Sequence, residues 1–322
     1  MLTLSKSHFR NFKILHLTDL HMLPNEWKEG HEVRESVVNT INRLVKETSP
    51  DLITHGGDFS AAEYPESYTK FAEFLDSFEI PWTTVWGNHD NQCGEGITRR
   101  YAEEFLTYKN FVYEHGPREL GNGNFVLAIK QGERYVHSLI LMDSHDRAKY
   151  VDNKGDVMKV YARLSGEQIE WYKENVRNLC AIGCNSSTIM CHTPIYAFKA
   201  AFKLVYNHSF ADPKNIEYKD SFNSECWYEP YKNSFGVRYE GECCYPEDDG
   251  VLDAIKELGS TKLVVCGHDH VNCTCIEIDG VKMLYGLKTG RGSYFDERLN
   301  GGTLIEIDSE GNVYPKHLFV DL

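Results

Sequence analysis

The sequence predicts an α/β fold built around a parallel sheet, and three observations point to it. From Phe12 onward, apolar runs of strand length alternate with stretches of helical periodicity. Five of the apolar runs end in a cluster of Gly, Asp, Asn or His. From Cys273 to Val320 short apolar runs alternate with Gly and Asp, as in meandering antiparallel strands. A β-α-β-α-β order signals a parallel sheet with right-handed crossovers, and ligands of such sheets gather beyond the carboxyl ends of the strands.

Phe12–Thr18 reads as a strand apolar enough to be buried on both faces, and it ends in Asp19-Leu20-His21. Strand alternation puts Asp19 and His21 on one side, about 6 to 7 Å apart. A helix is expected over His31–Thr48, with Val37, Ile41, Leu44 and Val45 on one face and Pro50 beyond its end. Asp51–His55 is a second strand and runs into Gly56-Gly57-Asp58. Pro65–Phe78 carries Tyr68, Phe71, Phe74, Leu75 and Phe78 at helical spacing. The apolar run Trp82–Trp86 then opens onto Gly87-Asn88-His89-Asp90.

A helix near Ile97–Thr107 precedes two strands, Phe125–Lys130 and His137–Met142, the second ending in Asp143-Ser144-His145-Asp146. Ser165-Gly166-Glu167-Gln168 fits a capping box that opens a helix with Ile169, Tyr172, Val176 and Leu179 on one face. Ser187–Cys191 is a strand followed by His192-Thr193-Pro194. The stretch 207–249 loses periodicity but is rich in aromatic residues, so an insertion or ordered lid is expected there. A short helix over Gly250–Leu258 and a strand over Lys262–Cys266 lead into Gly267-His268-Asp269-His270. Residues 1–322 read as one domain with two packed sheets, without a linker or internal repeat.

The chain has 322 residues, 41% hydrophobic and 12% aromatic, which is the make-up of a folded globular protein. Its net charge of -14, with no Lys/Arg run, argues against nucleic acid as a partner. No apolar run approaches the length of about 18 residues needed to span a membrane, and the N-terminus lacks the apolar core of a signal peptide. A cytoplasmic protein is expected, with a removed leader as the open alternative. The 10 cysteines include no C-x-x-C pair and are expected as free thiols, with a disulfide or local metal role as the alternative for Cys226, Cys243, Cys244, Cys273 and Cys275.

A single strand-end polar cluster is usually a turn. Collected together, the strand ends supply Asp19, His21, Asp58, Asn88, His89, His192, His268 and His270. Imidazoles with a few carboxylates and one amide suit Zn, Mn or Fe better than Mg or Ca, and they are too many for one tetrahedral ion.

In order, these motifs read D-x-H, G-D, G-N-H-[DE], a lone H and G-H-x-H, and the pattern resembles the calcineurin-like metallophosphoesterase superfamily from Phe12 to His270. The residues after Gly-His-Asp-His look similar to the single-domain branch of purple-acid-phosphatase-like proteins. The resemblance implies a four-layer αββα sandwich of two mixed β-sheets flanked by helices, and a dinuclear centre of two divalent or trivalent metal ions. Asp19, His21 and His270 would hold one ion, Asn88, His192 and His268 the other, and Asp58 would bridge them. His89 would stand beside the ions, with Asp90 or a backbone group orienting its ring. The chain departs from purple acid phosphatases at Ala61, where their tyrosine is expected, and at His21, where those enzymes have a non-ligand. No charge-transfer colour is therefore expected, and Mn, Zn or Fe(II) becomes the natural choice.

The activity implied is phosphate-ester hydrolysis by a metal-bridging hydroxide, with His89 and Asp90 as the catalytic pair. A small phosphate monoester or a phosphoprotein is the expected substrate, with no membrane partner. The alternatives are a phosphodiesterase, cyclic nucleotides included, and a non-catalytic, metal-stabilised binding scaffold. Arg291, flanked by glycines, reads as a surface residue, with phosphate contact as the alternative.

Overall fold

The computed structural model describes residues 1–94, 96–206 and 234–321. Two mixed sheets form its centre. One has five strands in the order β14-β13-β2-β3-β4, where β2 is Phe12–Leu17, β3 Leu52–His55, β4 Trp82–Thr84, β13 Gly301–Ile307 and β14 Val313–Phe319. Within it β2, β3 and β4 run parallel, while β13 is antiparallel to both β2 and β14.

The other has seven strands in the order β1-β5-β6-β9-β10-β12-β11. These are β1 Leu2–Ser5, β5 Phe125–Gln131, β6 Arg134–Leu141, β9 Ser187–Met190, β10 Thr261–Cys266, β11 Cys275–Ile278 and β12 Val281–Tyr285. Strands β6, β9, β10 and β12 are mutually parallel neighbours, β5 is antiparallel to β6 but parallel to β1, and β11 is antiparallel to β12. A separate two-stranded hairpin joins β7 (Arg147–Val151) to β8 (Val157–Tyr161).

Burial shows how the layers stack. Ile14, Ile53, Ile305 and Ile307 of the five-stranded sheet share one core with Leu139, Leu141, Leu263, Val265 and Leu284 of the seven-stranded sheet. The intervening residues Ile140, Ile189, Val264 and Met283 point the other way, onto a second core. That outer core contains Tyr172 and Val176 of α4 (Gly166–Ala181), Phe198 and Ala201 of α5 (Tyr196–Tyr206), and Ala254 and Ile255 of α6 (Val251–Leu258). On the opposite side, α1 (Glu32–Thr48) packs on β2 and β13 through a stripe that includes Val37, Ile41 and Leu44. Helix, sheet, sheet, helix is the four-layer order, and period-two strands buried on both faces are what it requires.

Helix ends follow local chemistry. The His31 side chain accepts from the Val33 N–H at 3.3 Å to open α1, and Ser49 closes it in a left-handed conformation before Pro50. The Ser165/Gln168 box opens α4 as expected. Gln168 also donates to the Asp143 carbonyl at 2.7 Å, which ties the start of α4 to the loop after β6. Helices α2 (Pro65–Asp76) and α3 (Ile97–Phe105) end two residues short of their expected limits: the Ser77 and Leu106 N–H groups still donate four residues back, to Glu73 and Ala102, but those of Phe78 and Thr107 donate only three back, to Leu75 and Glu104.

The structure corrects the reading of the last fifty residues. Hairpins β11-β12 and β13-β14 are antiparallel, but they lie in different sheets, and β12 pairs parallel with β10. Strand β1, hairpin β7-β8 and α5 were not anticipated at all. Of the expected lid, 207–233 lies outside the described residues, while Phe235 and Arg238 bridge to Cys275 and Asn272. The nine described cysteines are free thiols. No helix among the described residues is long and apolar enough to cross a membrane.

Two histidines remote from the strand-end clusters add to the acid sensitivity of the fold. His137 sits between the hydroxyls of Ser186 and Thr188, each at 2.9 Å, and burial lowers its pKa to about 3. Burial lowers His317 to about 4. Because the unfolded imidazole titrates near 6.5, the unfolded chain takes up the proton first. Stability is therefore full above that pH and is lost as the pH falls toward the folded values. In His137→Gln the loss of unfolding free energy below pH 6.5 is expected to shrink by up to about 1.4 kcal/mol per pH unit, read from urea midpoints; an unchanged slope contradicts a neutral, buried His137.

Candidate metal centre

The strand-end residues converge from both sheets. Asp19 follows β2, Asp58 follows β3 and Asn88 follows β4, all in the five-stranded sheet; His192 follows β9, and His268 and His270 follow β10, in the seven-stranded sheet. All five are parallel strands, and the residues meet beyond their carboxyl ends.

Asp19 and His21 do not meet through strand alternation, which corrects the expectation above. Strand β2 ends at Leu17, and both residues lie beyond it with positive φ, 58° and 48°. Asp58 (60°) and His268 (77°) are also left-handed. Non-glycine residues in this region cost about 1 to 3 kcal/mol each and persist only where the surroundings enforce them. Part of that enforcement is visible: the Asp19 N–H donates to the Gly57 carbonyl at 3.1 Å, and the His21 N–H to the Asp58 carbonyl at 3.1 Å.

Close approach explains two motif glycines. A Cβ on Gly57, whose φ is 97°, would lie 2.6 Å from the Gly87 nitrogen and 2.7 Å from His192 Nδ1. A Cβ on Gly87 would collide with the Asp58 carboxylate. The Gly-Asp and Gly-Asn-His-Asp motifs are interlocked pieces of one surface.

Two groups of donor atoms share Asp58. In the first, His270 Nε2 is 3.4 Å from Asp19 Oδ1 and 3.0 Å from His21 Nε2, which is itself 3.5 Å from Asp58 Oδ2. In the second, His192 Nε2 is 3.2 Å from Asp58 Oδ2, 3.1 Å from Asn88 Oδ1 and 3.2 Å from His268 Nδ1. Two tautomers follow from the outer contacts. His192 Nδ1 faces the Gly56 carbonyl at 2.8 Å, and His270 Nδ1 faces the Tyr294 carbonyl at 2.8 Å. A carbonyl can only accept, so each Nδ1 holds the proton and each Nε2 turns a lone pair inward.

Electrostatics agree with that arrangement. Burial opposes ionisation of Asp58, but His192 and His21 outweigh it and hold the carboxyl below the usual range. Asp19 is likewise held low by His270, His192 and His21 against burial. Burial disfavours a charged His192, yet Asp58 and Asp19 lift it to about 10. His268, buried and facing His192, is lowered to about 3. Without a cation, Asp58 and Asp19 draw a second proton onto His192; a bound cation would take that proton's place and leave the Nε2 lone pair free to hold it, and mixed N/O donors of this kind fit a transition-metal cation.

His89 stands at the edge of this cluster. Its ring is 5.1 Å from that of His21, its N–H donates to Asp58 Oδ1 at 2.9 Å, and its imidazole makes no hydrogen bond among the described residues. Asp90 is placed differently from the expectation that it orients the His89 ring. Its oxygens accept from the N–H groups of Asp58 (2.7 Å), Phe59 (3.1 Å) and Gly87 (2.7 Å) and from the Tyr68 hydroxyl (2.6 Å). Asp90 therefore holds two motif loops together from behind. Arg291 turns away, toward Glu297 at 3.2 Å and Glu32 at 3.7 Å.

Sequence reasoning missed Lys288, which is fully buried and donates to the Asp19 carbonyl. Burial lowers it to about 8 against the raising fields of Asp19 and Asp58. It also missed Thr18, whose hydroxyl donates to Asp19 Oδ2 at 2.6 Å, and Tyr294, whose ring stacks on His270 at 4.0 Å. Thr18 adjoins a motif, so a hydroxyl beside the aspartate was a readable signal; Lys288 and Tyr294 offered none.

Fold and site together define a metallophosphoesterase, and the chain belongs to the calcineurin-like phosphoesterase family, whose model matches residues 12–272. Among curated relatives, "Probable inactive purple acid phosphatase 28" of Arabidopsis thaliana is 26% identical over 324 residues, spanning 88% of this chain and 71% of the relative. "Phosphatase DCR2" of Saccharomyces cerevisiae is 25% identical over 350 residues, spanning 96% of this chain and 55% of the relative. A dimetal phosphatase from Danio rerio shares the fold, with a TM-score of 0.52 at 10% identity over 95% of this chain and 98% of the other.

Proposed function

We propose that the protein is a phosphomonoesterase that works with two cations, one held by Asp19, His21 and His270, the other by Asn88, His192 and His268, with Asp58 shared between them. The observation that carries this reading is the pair of carbonyl-fixed imidazoles, His192 and His270, whose lone pairs face Asp58 and Asp19. Bound cations would supply Lewis acidity for the phosphoryl oxygens and for an attacking water. A relative named as inactive is no argument against turnover here, because this chain brings seven candidate ligands and His89 together.

The protein's own groups do the rest. The fixed positions of Asp19, Asp58 and Asn88 would set where the cations sit, and so where the ester's phosphoryl oxygens are held while water adds to phosphorus and the bond to the ester oxygen breaks. His89, whose ring makes no hydrogen bond among the described residues, gives a proton to the departing oxygen or stabilises its charge. The substrate is a small phosphate ester or a phosphoprotein; the acidic surface disfavours nucleic acid.

Elemental analysis coupled to a phosphate-ester panel tests the proposal. Nitrophenyl phosphate is expected to be turned over faster than bis(nitrophenyl) phosphate; the reverse order makes the protein a diesterase, and a metal-replete preparation inactive on the whole panel makes it a scaffold. His89→Ala is expected to keep cation content and thermal midpoint and to lose rate by roughly 10² to 10⁴. Wild-type rates in that variant would remove His89 from the chemistry while leaving the cation site standing.

A further inference from the structure

A second feature lies against the metal centre. A cleft of about 560 Å³ is lined by Arg99, Arg118, Arg147 and Lys159, with Asn91, Asn122 and Asp146 among the rest of its wall. Its size is that of a small-molecule site. The cleft begins where the cluster ends: Asn91 is two residues beyond His89, and Asp146 feels the charges of both His89 and Asp58. On the other flank Arg147 lies over the Tyr161 ring at 3.6 Å, and that ring packs against His268 at 4.2 Å.

The charge balance of the cleft runs against that of the chain. Among the described residues two acids face its four basic side chains, and one of them, Asp143, is already engaged: its oxygens accept from the N–H groups of Asn122 and His145, each at 2.9 Å. Asp146 lies 3.8 Å from Arg147, too long for a hydrogen bond. Arg99, Arg118 and Lys159 form no ion pair among the described residues. Asn122, only 5% exposed, has an amide Nδ2 without a partner among the described residues. A protein of net charge -14 that sets four basic side chains against Asp146, which feels the charges of both Lys159 and Arg147, has an excess of positive charge in a cleft beside a phosphate-directed centre, and that excess suits an anion.

We infer that this cleft binds a second phosphate group of the substrate, so that the preferred ester is a small molecule carrying two phosphates, one at the metal centre and one between Arg99, Arg118 and Lys159. This rests on the phosphoesterase reading for the first phosphate; the cleft itself is independent of it. Arg and Lys are the side chains that recognise phosphate through charge-assisted hydrogen bonds. The predicted specificity residues come from α3, from the loop before β5 and from β8, three segments that contribute no cation ligand.

The test compares fructose 1,6-bisphosphate with fructose 6-phosphate, using nitrophenyl phosphate as the reference, on wild type and on Arg99→Gln/Arg118→Gln/Lys159→Gln. Wild type is expected to favour the bisphosphate in kcat/KM by about 10- to 100-fold, the range that one charged hydrogen-bonded contact supplies. The triple variant should lose that preference while its kcat/KM on nitrophenyl phosphate stays within about twofold. Turnover of nitrophenyl phosphate without any bisphosphate preference overturns the inference and leaves the phosphomonoesterase reading intact. If no ester is turned over, that reading falls and calorimetry decides the cleft: tighter binding of the bisphosphate that weakens at least tenfold in the triple variant upholds the site, and equal binding of the two sugars or by the two proteins overturns it.

Discussion

Asp58→Asn is expected to empty the centre of its cations and to lower phosphate-ester turnover by roughly 10³-fold or more. Asparagine preserves what the backbone needs: it tolerates the left-handed conformation at φ 60°, and its oxygen can still accept from the His89 N–H. The variant should therefore fold, with a cation-free thermal midpoint close to that of wild type. What disappears is the negative charge lying 3.5 Å from His21 Nε2 and 3.2 Å from His192 Nε2, which both donor groups share. Lewis-acid assistance is worth several kcal/mol, and each 1.36 kcal/mol is about tenfold in rate, so three decades is a modest expectation. Retained cations and full activity in the purified variant would show that Asp58 is not the shared ligand.

The identities of the candidate ligands were legible because five strands repeat the same device, a Gly, Asp, Asn or His cluster at the carboxyl end. Their geometry was not. Alternation suggested that Asp19 and His21 share a strand face, but both sit beyond the strand in left-handed conformations that no periodicity encodes. The turn after β10 likewise sends His268 to His192 and His270 to Asp19. The sandwich was foreseen through the motif resemblance, and the front strands and helices through periodicity. The hairpin β7-β8 escaped because its exposed, mixed sequence carries little apolar signal. Lys288 escaped for the opposite reason: a lysine in an apolar run reads as surface, yet this one is buried under Asp19. The basic cleft was hidden by summation, since its cations lie far apart in a sequence whose total is strongly negative.

Asp90→Ala is expected to lower stability by about 4 kcal/mol or more and to lose activity as a consequence. Four donors converge on this fully buried carboxylate, three of them backbone N–H groups from both interlocked loops. A buried donor left without a partner costs about 1 to 3 kcal/mol, and a folded domain holds only about 5 to 15 kcal/mol in all. The carboxylate is already a compromise, because burial and the nearby Asp58 raise its pKa to about 6 while Tyr68 and the backbone donors oppose the rise. Asn at this position would accept on one side and present an N–H to donors on the other, so Asp90→Asn should fall between alanine and wild type in thermal midpoint. The contrast with His89→Ala separates the two roles. Removing His89 should leave the midpoint unchanged and slow the reaction, whereas removing Asp90 should lower the midpoint and loosen cation binding together, since Asp58 loses the contact that fixes its backbone. An Asp90→Ala protein with the wild-type midpoint but a depressed rate would return Asp90 to the chemistry itself.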